Sequence, residues 1–316
     1  MSQQEIKKFF ESKEMNVNSI SLLEKGVNRN AYAIQTNDQD YVFKMFSKRA
    51  MPYINKHIKW LRQAHKIKDL ALYPLNAKAI MVNGRPCYYY KYFEGQPFHK
   101  AKVKDKAYVF GSVVGDFDKI FSKINTIKVK KHLWLTMSPE KINEVSSELL
   151  NHKEAHFQNL GQYVLDAYSL LTSQKIDFDK CPTQIIHSDL HMGNALYNGE
   201  KARVIDLDGL RTDFRAFEPA VFVSYTFVNE ANRVQTKVLN QFLDGYQSVI
   251  KLNQAEKKAL PALALRRKIT EFIWLYGKFK DGHFDRAEFD RLSSYTIRNM
   301  KAITQKYDKL VEIVKR

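Results

Sequence analysis

Residues 186–194 read Ile-His-Ser-Asp-Leu-His-Met-Gly-Asn, and residues 204–208 read Val-Ile-Asp-Leu-Asp. The first stretch places Asp189 and Asn194 five positions apart on a short loop, and the second places Asp206 directly after an apolar strand. Phosphoryl transfer from ATP uses such a set, because one carboxylate accepts the proton of the attacking hydroxyl while an amide oxygen and another carboxylate hold Mg²⁺ on the phosphates. The alternative is that these polar residues only form turns around a hairpin. We favour the phosphoryl-transfer interpretation, because His-x-Asp-x₄-Asn would occur by chance in roughly one chain of this length in a hundred, and the Asp-x-Asp that follows lowers this frequency further.

These motifs resemble the aminoglycoside phosphotransferase and choline kinase family, the small-molecule branch of the protein-kinase-like fold. The resemblance implies an α+β fold of two lobes, with a small antiparallel-sheet N-lobe at residues 1–94 and a mainly helical C-lobe at residues 95–316. It implies that Asp189 is the catalytic base, that Asn194 serves both catalysis and metal binding, and that Asp206 is a metal ligand. The implied cofactors are ATP and Mg²⁺.

Asp208 lies two positions after Asp206 and has two interpretations. It is a candidate ligand for a second Mg²⁺. An aspartate in a turn also commonly accepts hydrogen bonds from the local backbone, which would give it no part in the chemistry.

Lys44 lies within the apolar run Tyr-Val-Phe-Lys-Met-Phe at residues 41–46. A lysine between apolar neighbours on a strand is costly unless its ammonium group meets a charge. The resemblance assigns that charge to the α- and β-phosphates of ATP. The alternative is a lysine on an edge strand whose ammonium extends into water. We favour the phosphate interpretation.

The loop at residues 25–30 is similar to the sparse phosphate loop of small-molecule kinases. It has one glycine, Gly26, and Asn28 is a residue type that tolerates left-handed backbone. Its position therefore marks Gly26 and Asn28 as nucleotide-binding candidates.

Residues 52–68 are predicted to form a helix that lacks the glutamate which the family pairs with the strand lysine. Asn55 or His57 lies near that place. Three explanations stay open: Lys44 has a different partner, the helix register differs from the expected one, or nucleotide binding is impaired.

The dipeptide Asn83-Gly84 between two apolar runs predicts a hairpin. Its second strand ends near residue 95, where the resemblance places the hinge between the lobes and the backbone groups that bind adenine. This makes Lys91, Tyr92 and Phe93 candidate hinge residues. An aromatic strand that only packs a core is also compatible with this stretch.

The composition is that of an ordinary globular protein, with 316 residues of which 44% are hydrophobic and 27% are charged. No stretch of 18 apolar residues predicts a membrane span, and the two cysteines fit neither a disulfide framework nor a zinc site. We therefore expect a cytoplasmic protein. The net charge of +17 comes with no recognisable nucleic-acid module, so a nucleic-acid partner is not favoured.

The acceptor is expected to be a small molecule. Ser188 stands where many protein kinases have an arginine, and the stretch from Asp206 to Glu218 is short for a segment that docks peptides. The basic net charge leans towards a neutral or anionic acceptor, such as a sugar, a sugar-containing polymer or a hydroxylated metabolite. A cationic acceptor would need carboxylates, which are available at Asp213, Glu218, Glu230 and Glu271. The alternative function is that of a pseudokinase, a scaffold or regulator with the same fold.

Overall fold

The structure is a computed structural model that describes residues 3–23, 31–124 and 138–315. These residues form two compact units, one comprising Met1–Ala101 with Gly193–Leu210 and the other Lys102–Met192 with Arg211–Arg316. The strands of the described residues are β1 Val17–Leu22, β2 Ala31–Thr36, β3 Tyr41–Met45, β4 Ile80–Val82, β5 Arg85–Lys91, β6 Gln96–Pro97, β7 Thr183–Ile186, β8 Ala195–Tyr197, β9 Ala202–Val204 and β10 Arg211–Phe214. The helices are α1 Gln3–Glu11, α2 Met51–Gln63, α3 Lys106–Phe121, α4 Pro139–Leu150, α5 Ala155–Ser173, α6 Phe217–Thr226, α7 Thr236–Val249, α8 Gln254–Lys280, α9 Arg286–Gln305 and α10 Tyr307–Lys315.

The first unit is built on an antiparallel sheet with the strand order β1-β2-β3-β5-β4. The predicted hairpin joins β4 to β5, and both Asn83 and Gly84 have the positive φ angles that this turn requires, 49° and 69°. Helix α1 covers one face of the sheet, because Phe10 is fully buried and its ring lies 5.9 Å from that of Phe43 and 5.4 Å from that of Tyr89. Lys44 is therefore held on a central strand of a packed sheet.

A second, three-stranded sheet in this unit has the order β6-β8-β9. Val204 at the end of β9 also forms a bridge with Ala71. These backbone hydrogen bonds explain why Gly193–Leu210 groups with the N-terminal part of the chain. The lobe boundaries predicted from the sequence, residues 1–94 and 95–316, stay a prediction.

The second unit is mainly helical, as predicted for the chain beyond residue 101. Helices α3 and α7 approach so closely that a Cβ on Gly245 would lie 2.0 Å from the carbonyl oxygen of Tyr108. Helix α8 begins with a capping box, in which Asn253 and Glu256 satisfy each other's backbone N–H groups. Its fully buried Arg266 forms an ion pair of 2.5 Å with Asp213 on β10.

Strand β10 pairs with β7, whose register sets Ile186 opposite Arg211. This pairing anchors the strand that leads into the Asp189 loop. A small antiparallel sheet and a helical remainder agree with the predicted α+β class. None of the helices among the described residues is both long and apolar enough to cross a membrane.

Candidate functional site

In the first unit, Lys44 forms the centre of a charged group. Its side chain is buried on β3, and its Nζ lies 2.5 Å from Oδ1 of Asp206 and also pairs with the carboxylate of Asp208. Burial alone would lower the pKa of Lys44, but the carboxylates of Asp208 and Asp206 outweigh it and raise that pKa. The sequence analysis predicted that the ammonium group of Lys44 meets a charge, and within this unit it meets two carboxylates.

The two carboxylates differ in their surroundings. Asp206 follows β9 in a left-handed conformation, with φ 63° and ψ 47°, and its side chain is 48% exposed. Asp208 is only a quarter exposed and accepts a hydrogen bond from the hydroxyl of Tyr88. Burial raises the pKa of Asp208, while Lys44 opposes that rise. Asp208 is thus bound to side chains of the sheet, and its role as a metal ligand stays a prediction.

Asn194 lies next to this group through the backbone. It ends a 3₁₀ turn, Met192–Asn194, and its carbonyl oxygen accepts a 2.9 Å hydrogen bond from the N–H of Ile205, the residue before Asp206. Carboxylate and amide oxygens are the ligand types that Mg²⁺ takes, usually one or two carboxylates together with phosphate and water oxygens. The chemistry of Asn194, Asp206 and Asp208 therefore fits Mg²⁺.

The residues of α2 near the position where the family has a glutamate interact with groups other than Lys44. Asn55 accepts a hydrogen bond from the N–H of Ala79, and the ring of buried His57 bonds to the backbone of Leu210. Burial lowers the pKa of His57 to about 4. Of the three explanations for the missing glutamate, the geometry favours a different partner for Lys44.

The structure describes three of the five other residues predicted to bind the nucleotide. Gly26 and Asn28 lie outside the described residues. Lys91 ends β5 opposite Tyr41, and the N–H of Tyr92 donates to the carbonyl oxygen of Asp40 at 2.8 Å. Phe93 has the guanidinium of Arg203 5.9 Å from its ring centre. Adenine binding by residues 91–93 stays a prediction, and the N–H of Tyr92 already has a partner.

In the second unit, Asp189 is presented by a pinned turn. Ser188 has a positive φ of 72°, and its N–H donates to Oε1 of Glu218 at 2.5 Å. Glu218 is fully buried, and burial raises its pKa to about 7. The turn holds Asp189 with its side chain 40% exposed, as a group that exchanges protons with a substrate requires.

A charged cluster on α6 and α8 surrounds Asp189. Arg267 donates from Nη2 to Oδ1 of Asp189 at 2.6 Å and to the hydroxyl of Tyr225 at 3.0 Å. That hydroxyl donates to Oε1 of Glu271 at 2.9 Å, and Lys268 donates to Oε2 of Glu271 at 2.8 Å. We name these five residues, Asp189, Tyr225, Arg267, Lys268 and Glu271, the acceptor-side cluster.

The electrostatics of the cluster follow from burial and pairing. Burial would raise the pKa of Glu271, but Lys268 and Arg267 lower it to about 2. Burial lowers the pKa of Lys268 to about 8, against the opposing effect of Glu271. Nearby anions raise the pKa of Arg267 although burial opposes this.

Sequence reasoning missed Tyr88, Tyr225 and Arg267. Tyr88 was hidden in an aromatic strand that also packs a core. The sequence signal for Arg267 is the run Arg266-Arg267-Lys268 directly after the apolar stretch of residues 259–265, where buried cations need anionic partners. Glu271 was considered for a cationic acceptor, and the structure pairs it with cations of the chain itself.

Comparison with known proteins shows the family. The model of the phosphotransferase enzyme family matches residues 19–252. A homoserine kinase of Xanthobacter autotrophicus is 38% identical over 101 residues, which are 30% of this chain and 31% of that protein. The chain thus matches less than a third of the length of this curated relative.

Solved structures share the fold over the whole chain. A spectinomycin phosphotransferase in complex with ADP and spectinomycin has a TM-score of 0.65 and 17% identity, covering 100% of this chain and 98% of its own. The choline kinase of Streptococcus pneumoniae has a TM-score of 0.63 and 14% identity, covering 95% and 98%. The fold resemblance inferred from the motifs is thereby confirmed.

Proposed function

Since this chain belongs to the phosphotransferase enzyme family, we propose that it transfers the γ-phosphoryl group of Mg-ATP to a hydroxyl group of a small molecule. The observation that carries this proposal is the pairing of buried Lys44 with Asp206, the aspartate expected to bind metal. A buried lysine beside metal-binding carboxylates is the arrangement that grips nucleotide phosphates.

The residues of the first unit have binding roles in this proposal. Lys44 would hold the α- and β-phosphates of ATP. Asn194 and Asp206 would hold Mg²⁺, which would supply positive charge beside the phosphates. Tyr88 keeps Asp208, and through it the ammonium group of Lys44, in place.

Asp189 has the chemical role. It orients the acceptor hydroxyl and takes its proton as the new oxygen–phosphorus bond forms and the bond between the γ-phosphorus and the departing ADP breaks. The hydrogen bond from Ser188 to Glu218 fixes the backbone turn that carries Asp189, while the side chain of Asp189 stays 40% exposed to solvent. Catalysis of this type is mainly positioning and charge stabilisation.

The alternative of a pseudokinase rests on the helix that lacks a glutamate and on the sparse glycine loop at residues 25–30, which lies outside the described residues. The pairing of Lys44 with Asp206 and Asp208 supplies that lysine with anionic partners, so the missing glutamate does not leave it uncompensated. We therefore place the active enzyme first.

The test is thermal unfolding with and without Mg-ATP for the wild type, Asp206→Ala and the control Asp38→Ala, which changes an exposed aspartate of the same unit. A ligand at 100 times its dissociation constant stabilises a protein by about 2.7 kcal/mol, which raises the melting temperature clearly. We expect a Mg²⁺-dependent rise in the wild type and the control that is lost in Asp206→Ala. No rise with ATP or GTP in the wild type would favour the pseudokinase.

A further inference from the structure

The acceptor-side cluster bears on which acceptor the proposed reaction uses. A cationic acceptor needs carboxylates and aromatic faces that it can occupy. The carboxylate of Glu271 is already bonded to Lys268 at 2.8 Å and to the hydroxyl of Tyr225 at 2.9 Å. A second cation, Arg267, holds the carboxylate of Asp189. Both acids of the cluster are thus neutralised by the chain itself.

Lys268 also occupies the aromatic face of the cluster. Its side chain is fully buried, and its Nζ lies 3.5 Å from the ring centre of Tyr225 and 5.2 Å from that of Tyr295. An ammonium group between two tyrosine rings and a carboxylate is the arrangement by which proteins bind cationic ligands. Here the chain's own lysine fills it, so a cation from the acceptor would meet an occupied position.

Arg267 has donor capacity left for an anion. Its side chain is 15% exposed, and Nη2 makes both of the hydrogen bonds described above. Nη1 lies 3.8 Å from Oε2 of Glu271, beyond hydrogen-bond distance, so it is the nitrogen with donors left for a ligand. Nε also has no hydrogen-bond partner within the described parts of the chain, but it is buried. A guanidinium group carries five N–H donors in a planar fork that matches the two oxygens of a carboxylate or phosphate.

We propose that Arg267 determines acceptor specificity by binding a carboxylate or phosphate group of a small hydroxylated acceptor. This inference rests on the proposed kinase function and names its substrate class. The anionic group of the acceptor shares or replaces the contact between Arg267 and Asp189. The carboxylate of Asp189 then turns to the acceptor hydroxyl, so recognition of the anion and presentation of the base are coupled through one side chain.

The test uses two matched pairs of probes with the full chain. L-Homoserine and 3-amino-1-propanol have the same hydroxyl and ammonium groups and differ by one carboxylate, whereas glycerol 3-phosphate and glycerol differ by one phosphate. Binding is measured as thermal stabilisation in the presence of a non-hydrolysable ATP analogue and Mg²⁺, so no turnover is needed. We expect the wild type to bind an anionic member at least about tenfold more tightly than its partner without the anion.

The variants decide whether Arg267 carries that preference. Arg267→Met should lose the preference for the anionic probe, and Arg267→Lys, which keeps the charge without the fork, should retain part of it. Arg286→Met is the control, because Arg286 is a partly exposed arginine of the same unit that pairs with Glu154. Arg267→Lys also guards against a loss that reflects misfolding of the methionine variant.

Three results would overturn the inference: equal or tighter binding of the uncharged or cationic member, no binding of either anionic probe, or an unchanged preference in folded Arg267→Met. The carboxylate and phosphate pairs identify which anion is read. The Mg-ATP shift of the wild type, measured in the same experiment, reports on the proposed function separately. A retained nucleotide shift with an overturned anion preference would leave a kinase of another acceptor class.

Discussion

The two charged groups of this molecule differ in how their charges balance. In the first unit one cation, Lys44, faces the two carboxylates of Asp206 and Asp208. In the acceptor-side cluster two cations, Arg267 and Lys268, face the two carboxylates of Asp189 and Glu271. The first group has an excess of negative charge and is suited to take up a divalent cation, whereas the second is neutral within the chain.

Buried charge alone therefore does not identify a ligand-binding site. The exposed fraction of each carboxylate and the balance of opposite charges around it also matter, because a carboxylate that already has a cationic partner offers little to another cation. Asp206 is 48% exposed and shares Lys44 with Asp208, while Glu271 is 14% exposed and pairs with Lys268 and Tyr225.

The largest effect is expected on turnover, from a change at Asp189. Asp189→Asn should reduce the rate of phosphoryl transfer by about 10²–10⁴-fold, because the amide cannot take the hydroxyl proton. The Mg-ATP thermal shift should stay, since the binding residues lie in the other unit. Steady-state kinetics and thermal unfolding check this, with Asp179→Asn as an exposed control. Unchanged turnover would refute the assignment of Asp189 as the base.

Removal of one cation from each group compares how much the two groups contribute to stability. Lys268→Met should lower the free energy of unfolding by about 3 kcal/mol or more, because Glu271, which is only 14% exposed, loses a cationic partner. Lys44→Met should cost less than about 2 kcal/mol, since water solvates the half-exposed Asp206 and Asp208 keeps the hydrogen bond from Tyr88. Urea unfolding of both variants measures the difference. Equal losses would contradict the distinction between the two groups.

Ionisation of Glu218, which accepts the hydrogen bond from the N–H of Ser188, should make the stability of the protein depend on pH. Burial raises the pKa of Glu218 to about 7 from its ordinary value of 4.5. Between these pH values the unfolded chain ionises this group while the folded chain keeps it protonated, so stability falls as pH rises through this window and the penalty is complete above it.

Glu218→Gln keeps an acceptor oxygen for Ser188 but cannot ionise. Its stability relative to the wild type should therefore increase by up to about 3 kcal/mol between pH 4.5 and 7. Unfolding curves recorded across that range for both proteins measure this. Parallel pH dependence of the two would show that Glu218 ionises as freely in the folded state as in the unfolded one.

The smallest effect is expected at Tyr88. Tyr88→Phe removes the hydroxyl that binds Asp208, which should weaken Mg-ATP binding by less than about tenfold, since one hydrogen bond contributes roughly 1 kcal/mol. Titration of Mg-ATP measures the dissociation constant. Tyr53→Phe, an exposed tyrosine on α2, is the control and should bind Mg-ATP like the wild type. An identical affinity in Tyr88→Phe would mean that Tyr88 does not position Lys44.

Much of the fold was predictable from local patterns. The Asn83-Gly84 hairpin and the lysine-bearing strand β3 follow from turn chemistry and from apolar runs of strand length. The family resemblance, drawn from residues 186–208, was enough to predict the two-part α+β class. These features depend on residues that are close in sequence, and for that reason the sequence reveals them.

The partners of the charged side chains were not predictable in the same way. Lys44 and Asp206 are 162 positions apart, and Arg267 and Asp189 are 78 positions apart. Such contacts depend on how strands and helices pack, which no local pattern specifies. The sequence raised the question of who partners Lys44, and the packing of β9 against the N-terminal part of the chain answered it.

The residue types and the spacing of the Asp189 loop, together with the lysine on β3, were sufficient to identify the family, because phosphoryl transfer from ATP uses those residue types. The pairing of Lys44 with Asp206 and Asp208, and of Arg267 and Lys268 with Asp189 and Glu271, came from the packing of distant segments. The physical reason is that buried charges must be paired, and the available partner is whichever opposite charge the packing brings within reach.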